Sequence, residues 1–273
     1  MKINKILLTG DDGYKSLGTR LLINSLAEKY DLTIVGTKSQ QSGVGGKMSL
    51  KTGFDWGEDT VDDIKAYWID GTPADAAEFA AIYFKEPFDL IISGINWGAN
   101  LGTTIFSSGT IGAVLRGLSA QVASQALAIS WDLPADMYLM NHDEQQLLAE
   151  YIQYPGKIIS PLLDLLFENQ LWGANLININ LPQKMSSKVK ITTLAPNARE
   201  IYDYSTDPFS TNDLGIRHFS YKGGRLFNPQ VDPKTDVMAI TDGCISVSPC
   251  KATLDDLRIF QSIKQKTTLL PIA

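Results

Sequence analysis

An apolar run from Lys5 to Thr9 stops at Gly10-Asp11-Asp12-Gly13, and behind that turn Leu17, Leu21, Leu22 and Leu26 recur at helical spacing up to Lys29. A strand that passes through a tight polar turn into an amphipathic helix is the opening unit of an α/β fold. The pattern then repeats with variations. Leu32 to Gly36 is a second predicted strand, followed by a polar, glycine-rich loop from Lys38 to Lys47, and Ala66 to Ile69 is a third. Gly71-Thr72-Pro73-Ala74-Asp75 predicts a helix start, with Thr72 as N-cap, Pro73 at the first helical position and Asp75 as the capping carboxylate, and an alanine-rich helix runs on to Phe84. Leu90 to Ser93 is the fourth strand, Thr110 to Leu118 the next helix and Ala126 to Trp131 the fifth strand. Strands alternating with helices predict an α/β fold with a doubly wound, mostly parallel sheet.

Beyond Trp131 the pattern loosens. A helix is expected from Asp143 to Glu168, strands at Leu176 to Asn180, Val189 to Thr193 and Cys244 to Val247, and helices at Asp236 to Thr241 and Asp255 to Lys264. Residues 197–234 lack clear periodicity and read as a long excursion or hairpin arm available for oligomer contacts. Its aromatics, Tyr202, Tyr204, Phe209, Phe219, Tyr221 and Phe227, would expose apolar area if left in solvent, so they either cross to a neighbouring subunit or fold back on their own core, and the residues alone favour neither. The expected division is an α/β core over 1–196, the arm over 197–234, and a C-terminal strand and helix over 235–273 that complete the core.

With 273 residues, 44% hydrophobic and 20% charged, the chain can bury a large core. Its net charge of -6 repels a polyanion, which argues against a nucleic-acid duplex as partner. Leu90 to Leu115 carries no charge, yet its Gly, Asn, Ser and Thr content reads as strand, loop and helix start, so no membrane partner is expected. The apolar run ending at Thr9 is too short for a signal-peptide core. Cys244 and Cys250 fit neither a zinc knuckle nor a CxxC pair, so reduced thiols and a cytoplasmic location are expected.

In a parallel α/β sheet ligands bind beyond the carboxyl ends of the strands. Asp11 and Asp12 sit side by side in the loop leaving the first strand. Asp-Asp-Gly in isolation reads first as a turn, but at a strand end in the crevice it favours a metal. Ser42 and Asn96, from two other strand-end loops, offer further oxygens, and an all-oxygen set selects Mg²⁺ or Mn²⁺ over zinc. Ser108-Gly109-Thr110 before an uncharged helix reads equally as an anion site or an ordinary N-cap. Gly43-Val44-Gly45-Gly46-Lys47 fails as a Walker A loop at both ends, no Gly-x-Gly-x-x-Gly follows the first strand, and His142 and His218 lie away from the strand-end loops. Dinucleotide binding and histidine-based transfer are thereby disfavoured.

Taken together, these pieces resemble the SurE family, the stationary-phase survival nucleotidases that hydrolyse nucleoside 5′- and 3′-monophosphates. The matching stretches are Ile6-Leu7-Leu8 with Asp11-Asp12-Gly13, Ser42-Gly43, Asp70 to Asp75, Ser93 to Gly102, Ser108-Gly109-Thr110, Asn178 to Pro182, Thr235-Asp236 and Gly243 to Pro249. The resemblance implies a Rossmann-like catalytic core over 1–196 with an extended C-terminal arm and terminal helix, the arm being exchanged between subunits of a homodimer or homotetramer and residues 235–273 packing on a partner subunit. It also implies one divalent ion per subunit on Asp11, Asp12, Ser42 and Asn96, with phosphate on Ser108, Gly109 and Thr110. Departures from the family pattern fall at Gly10, Gly45, Gly46, Thr103, Thr104 and Arg116.

The activity expected is metal-dependent phosphomonoester hydrolysis of nucleoside monophosphates by direct, in-line attack, with Asp11 and Asp12 as the catalytic carboxylates. The alternatives are a metal-dependent nucleotide sensor with little turnover, motivated by Gly10 and Gly45-Gly46, and a phosphatase of another small phosphomonoester or a short polyphosphate.

Overall fold

The computed structural model describes residues 3–134, 137, 148–168, 174–197, 201, 203, 205, 207–220, 225, 230–253 and 262. The central sheet has nine strands in the order β3-β4-β2-β1-β5-β6-β7-β11-β8. In chain order these are β1 (Lys5–Thr9), β2 (Asp31–Thr37), β3 (Trp56–Val61), β4 (Ile64–Ile69), β5 (Leu90–Trp97), β6 (Ala126–Trp131), β7 (Leu176–Leu181), β8 (Val189–Ile191) and β11 (Ile245–Cys250). β9 (Phe209–Thr211) and β10 (Arg217–Phe219) form a separate antiparallel hairpin. The sheet is parallel except where β3 meets β4 and β11 meets β7.

Side chains alternate across the strands, so the sheet has two cores. Ile6, Leu8, Leu90, Ile92, Leu127, Ile129, Ile177 and Ile179 pack under α1 (Leu17–Leu26) and α4 (Ile159–Glu168). Leu7, Ile91, Ala126 and Ala128 pack on the other face under α2 (Pro73–Tyr83) and α3 (Gly109–Ser119). Helices on both faces are the doubly wound arrangement expected. Residues 235–250 join the same sheet: α5 (Asp236–Thr241) leads into β11, which lies between β7 and β8.

Local chemistry accounts for the helix starts. Thr72 Oγ1 accepts from the Asp75 amide at 3.2 Å while Asp75 Oδ2 accepts from the Thr72 amide at 2.9 Å, a closed capping box. Asp75 also accepts from Ser49 N and Oγ, which ties the end of the 38–47 loop to α2.

Two expectations need correction. The helix from Asp143 to Glu168 is not continuous in its described part: short 3₁₀ turns at Leu148–Glu150 and Gly156–Ile158 precede α4. Pro155-Gly156, a strong helix breaker, interrupts the apolar periodicity. β3 was not expected, because its sequence, Trp56-Gly-Glu-Asp-Thr-Val61, is largely polar and its turn lacks glycine. Asp62 and Asp63 both take positive φ, 45° and 66°, closing the hairpin in the mirror-image geometry that strand twist favours. The predicted helix at Asp255 to Lys264 lies largely outside the described residues.

Candidate active site

Asp11 and Asp12 follow β1 at the carboxyl edge of the sheet and are only 6% and 7% exposed. Asp11 rests against the first turn of α3. Its Oδ1 accepts from the Thr110 hydroxyl at 2.7 Å, and a Cβ on Gly109 would come within 2.7 Å of its Oδ2. Asp12 Oδ2 accepts from the Trp97 amide at 2.9 Å and its Oδ1 from Gln40 Nε2 at 3.2 Å. The 38–47 loop is fastened beside the pair by the Gln41 amide, which donates to the Asp11 carbonyl at 2.7 Å.

Burial pushes the Asp11 carboxyl above the usual carboxylate range, against the lowering effect of the bonds from Thr110. Burial, and then the charge of Asp11, push Asp12 up as well. Two adjacent buried carboxylates are therefore an electrostatic cost that a bound cation would relieve. Among the described residues no cluster of three or more His, Cys, Asp or Glu exists. A cation here would meet two carboxylates and otherwise neutral oxygens, the donor set of a hard divalent metal, so the residues present fit Mg²⁺ or Mn²⁺.

Asn96 reaches this edge through an irregularity in β5 between Ser93 and Asn96, which puts Asn96 opposite Ser130 of β6. Its Nδ2 donates to the Gly98 carbonyl at 2.7 Å, which leaves Oδ1 for another partner. Ser42 follows Gln41 in the fastened loop, is exposed, and makes no hydrogen bond among the described residues. Ser108 caps α3, its Oγ accepting from the Ile111 amide at 3.2 Å. Gly109 and Thr110 follow, both buried, at the positive end of the helix dipole. A cavity of about 280 Å³ flanks Ser108, with Met48, Ile105, Phe106 and Arg116 in its walls.

The residue departures divide by their geometry. Gly45 has φ +54° and its Cβ would lie 3.0 Å from the Phe106 carbonyl, so a side chain there is strained. Gly46 has open space, and a Cβ on Gly10 would meet nothing closer than 3.5 Å. Arg116 bonds Glu78 of α2 at 2.7 Å, and the Thr104 hydroxyl bonds the Leu101 carbonyl within its own turn.

Sequence reasoning gave no role to Gln40, or to the polar layer of Asn100, Ser130, Asn178 and Asn180. A signal existed: Asn178 and Asn180 alternate with apolar residues along a strand that is buried throughout.

The family model described as survival protein SurE matches residues 6–203. The chain belongs to the SurE family. Among its curated relatives, 5'-nucleotidase SurE of Desulfitobacterium hafniense (strain Y51) is 31% identical over 271 residues, 97% of each chain. The protein of the same name from Desulforudis audaxviator (strain MP104C) is 33% identical over 270 residues, 96% of each chain. The solved SurE protein from Aquifex aeolicus superposes with a TM-score of 0.74 at 23% identity, covering 95% of this chain and 98% of that one. That likeness establishes the SurE-family fold for this chain.

Proposed function

We propose that the protein is a metal-dependent nucleotidase, cleaving nucleoside monophosphates to nucleoside and inorganic phosphate. The observation that carries this reading is the pair Asp11 and Asp12, buried side by side, with Asp11 bonded to Thr110 in the first turn of α3. Its family membership and the name its curated relatives share, 5'-nucleotidase SurE, support the same substrate class.

One Mg²⁺ or Mn²⁺ per subunit would be held by Asp11, Asp12, Ser42 and Asn96, and when bound it supplies Lewis-acid polarisation of a phosphoryl oxygen. The α3 end, with Ser108, Gly109 and Thr110, receives the phosphate, and its dipole opposes the charge that spreads over the phosphoryl oxygens. Phosphate and two carboxylates can share one helix end only with positive charge among them, so the two halves of the site require each other. The cavity beside Ser108 offers apolar walls, Ile105 and Phe106 among them, to the nucleoside half of the substrate.

We further propose that the β9–β10 hairpin belongs to an arm that pairs subunits into a homodimer or homotetramer. Phe209, Leu214, Ile216 and Phe219 are all at least half exposed there, and such a group of apolar side chains on one hairpin favours a contact surface. Tyr202, Tyr204, Tyr221 and Phe227 lie outside the described residues. Among the described residues no helix is long and apolar enough to cross a membrane, and both cysteines are free, which suits a cytoplasmic enzyme.

The test is phosphate release from a panel of nucleoside monophosphates, sugar phosphates and short polyphosphate. Turnover of nucleotides with Mg²⁺ or Mn²⁺, abolished by EDTA and restored by metal, is expected. Release without nucleotide preference would assign a different phosphomonoesterase, and metal-independent release would remove the site.

A further inference from the structure

The loop after β5 is gripped from beneath by buried side chains of β7. Asn180 pairs with the Asn100 peptide as a two-pronged clamp: its Oδ1 accepts from the Asn100 amide at 2.8 Å and its Nδ2 donates to the Asn100 carbonyl at 2.9 Å. Asn178 Nδ2 donates to the same carbonyl at 2.9 Å. Both asparagines are fully buried on β7, on the sheet face that carries α3, and Ser130 of β6 lies in register with Asn180. A residue held at both its N–H and its C=O by a side-chain amide that is itself buried cannot turn without stranding several polar groups at once.

Fixing that peptide fixes where the Asn100 side chain points. Its Nδ2 donates to Ser130 Oγ at 2.8 Å and, at 3.4 Å, to Thr110 Oγ1. A hydroxyl has one proton, and with a donor facing its oxygen Thr110 turns that proton outward, onto Asp11 Oδ1. The chain of bonds thus runs from β7 through Asn100 and Thr110 to the first carboxylate of the site, and crosses the phosphate turn on the way.

We propose that Asn180, assisted by Asn178, is a positioning residue for catalysis: it clamps the Asn100 peptide so that Thr110 holds Asp11 in the orientation the metal and phosphate need. This rests on the nucleotidase reading for its kinetic consequences, but its metal-binding consequence does not. Groups that orient ligands in this way are worth about 10- to 100-fold in affinity or activity.

The experiment compares Asn180→Leu with Ser246→Ala. Ser246 is equally buried, lies opposite Asn180 in the β11–β7 pair, and bonds Thr192 rather than Asn100. Each variant is measured for Mn²⁺ affinity by calorimetry, for kcat and KM, and for melting temperature. Expected for Asn180→Leu is at least a tenfold fall in kcat, KM within about threefold of wild type, and Mn²⁺ binding weakened by at least about tenfold. Ser246→Ala keeps both functional values whatever its melting temperature.

Equal functional losses in the two variants, or wild-type metal affinity and kcat in a folded Asn180→Leu, overturn the proposal. Should Asn180→Leu not fold, Ser130→Ala carries the test, since it removes the nearer of the two side-chain acceptors of Asn100, at 2.8 Å, and leaves the Thr110 hydroxyl in place. A smaller fall in kcat and Mn²⁺ affinity supports the proposal, and no change in either overturns it. A wild type that binds Mn²⁺ but releases no phosphate sinks the nucleotidase reading and leaves the calorimetric arm to decide the clamp. A wild type that neither binds Mn²⁺ nor turns over overturns both.

Discussion

The Thr110 hydroxyl donates to Asp11 Oδ1 at 2.7 Å, joining the phosphate turn of α3 to the first carboxylate of the candidate metal site. Thr110→Val keeps the shape and removes that bond. It is expected to lower kcat about 10- to 100-fold and to cost about 1 kcal/mol of stability in the buried surroundings. Steady-state kinetics and denaturant titration check both, and unchanged kcat would detach Thr110 from the chemistry.

Asp11→Asn removes one negative ligand while retaining size. Activity should fall by more than about 100-fold, beyond the loss expected for a merely supporting group. Because burial disfavours the Asp11 charge, the variant measured in EDTA should be as stable as the wild type or more so. Turnover near the wild-type value sinks the metal assignment.

Stability without metal should depend on pH in a direction opposite to ordinary paired carboxylates. Burial and the charge of Asp11 push Asp12 up to about 8, against about 3.9 in an unfolded chain. Between those values the folded protein keeps a proton that the unfolded chain has released, so its contribution to stability is lost as pH rises from about 4 towards 8. Melting curves in EDTA should show a decline over that window that Asp12→Asn makes shallower, Asp11 being raised by its own burial, and that saturating Mn²⁺ reverses. A flat difference between wild type and Asp12→Asn across that range would refute the buried-pair account.

Three glycines near the site should respond differently to substitution. Gly109→Ala drives a methyl into Asp11, with contacts of 2.7 and 2.8 Å to its Oδ2 and Cβ, and should weaken Mn²⁺ binding in calorimetry as well as turnover. Gly46→Ala, with open space around it, and Gly10→Ala, with nothing nearer than 3.5 Å, should keep the fold and most activity. Loss at Gly10 or Gly46 comparable with Gly109 would mean that steric room is not what distinguishes them.

The hairpin aromatics give an assembly prediction. Phe209 and Phe219 meet edge to face with ring centroids 5.5 Å apart while both remain at least half exposed. Phe209→Ser with Phe219→Ser should shift an oligomer towards monomer in light scattering and make the melting temperature depend more steeply on protein concentration. An unchanged mass and melting temperature would leave the pair without an assembly role.

Much of this protein is local, and local things are readable. Strands such as Lys5–Thr9 and Ala126–Trp131 are apolar runs because they are covered on both faces, and the α2 start is written in Thr72, Pro73 and Asp75. Asp11 and Asp12 were legible as a site because a strand end in a doubly wound sheet is where ligands lie. Other features depend on what lies across space. The polar β3 is a strand because β4 supplies its partners, and the 143–168 periodicity could not become one helix across Pro155-Gly156. Nor could any spacing rule have related Asn180 to Asp11, which are joined only through Asn100 and Thr110. Periodicity and capping act over a few residues and so survive in the sequence, whereas a hydrogen-bond chain through four elements exists only once the sheet has brought β1, β5, β7 and α3 together.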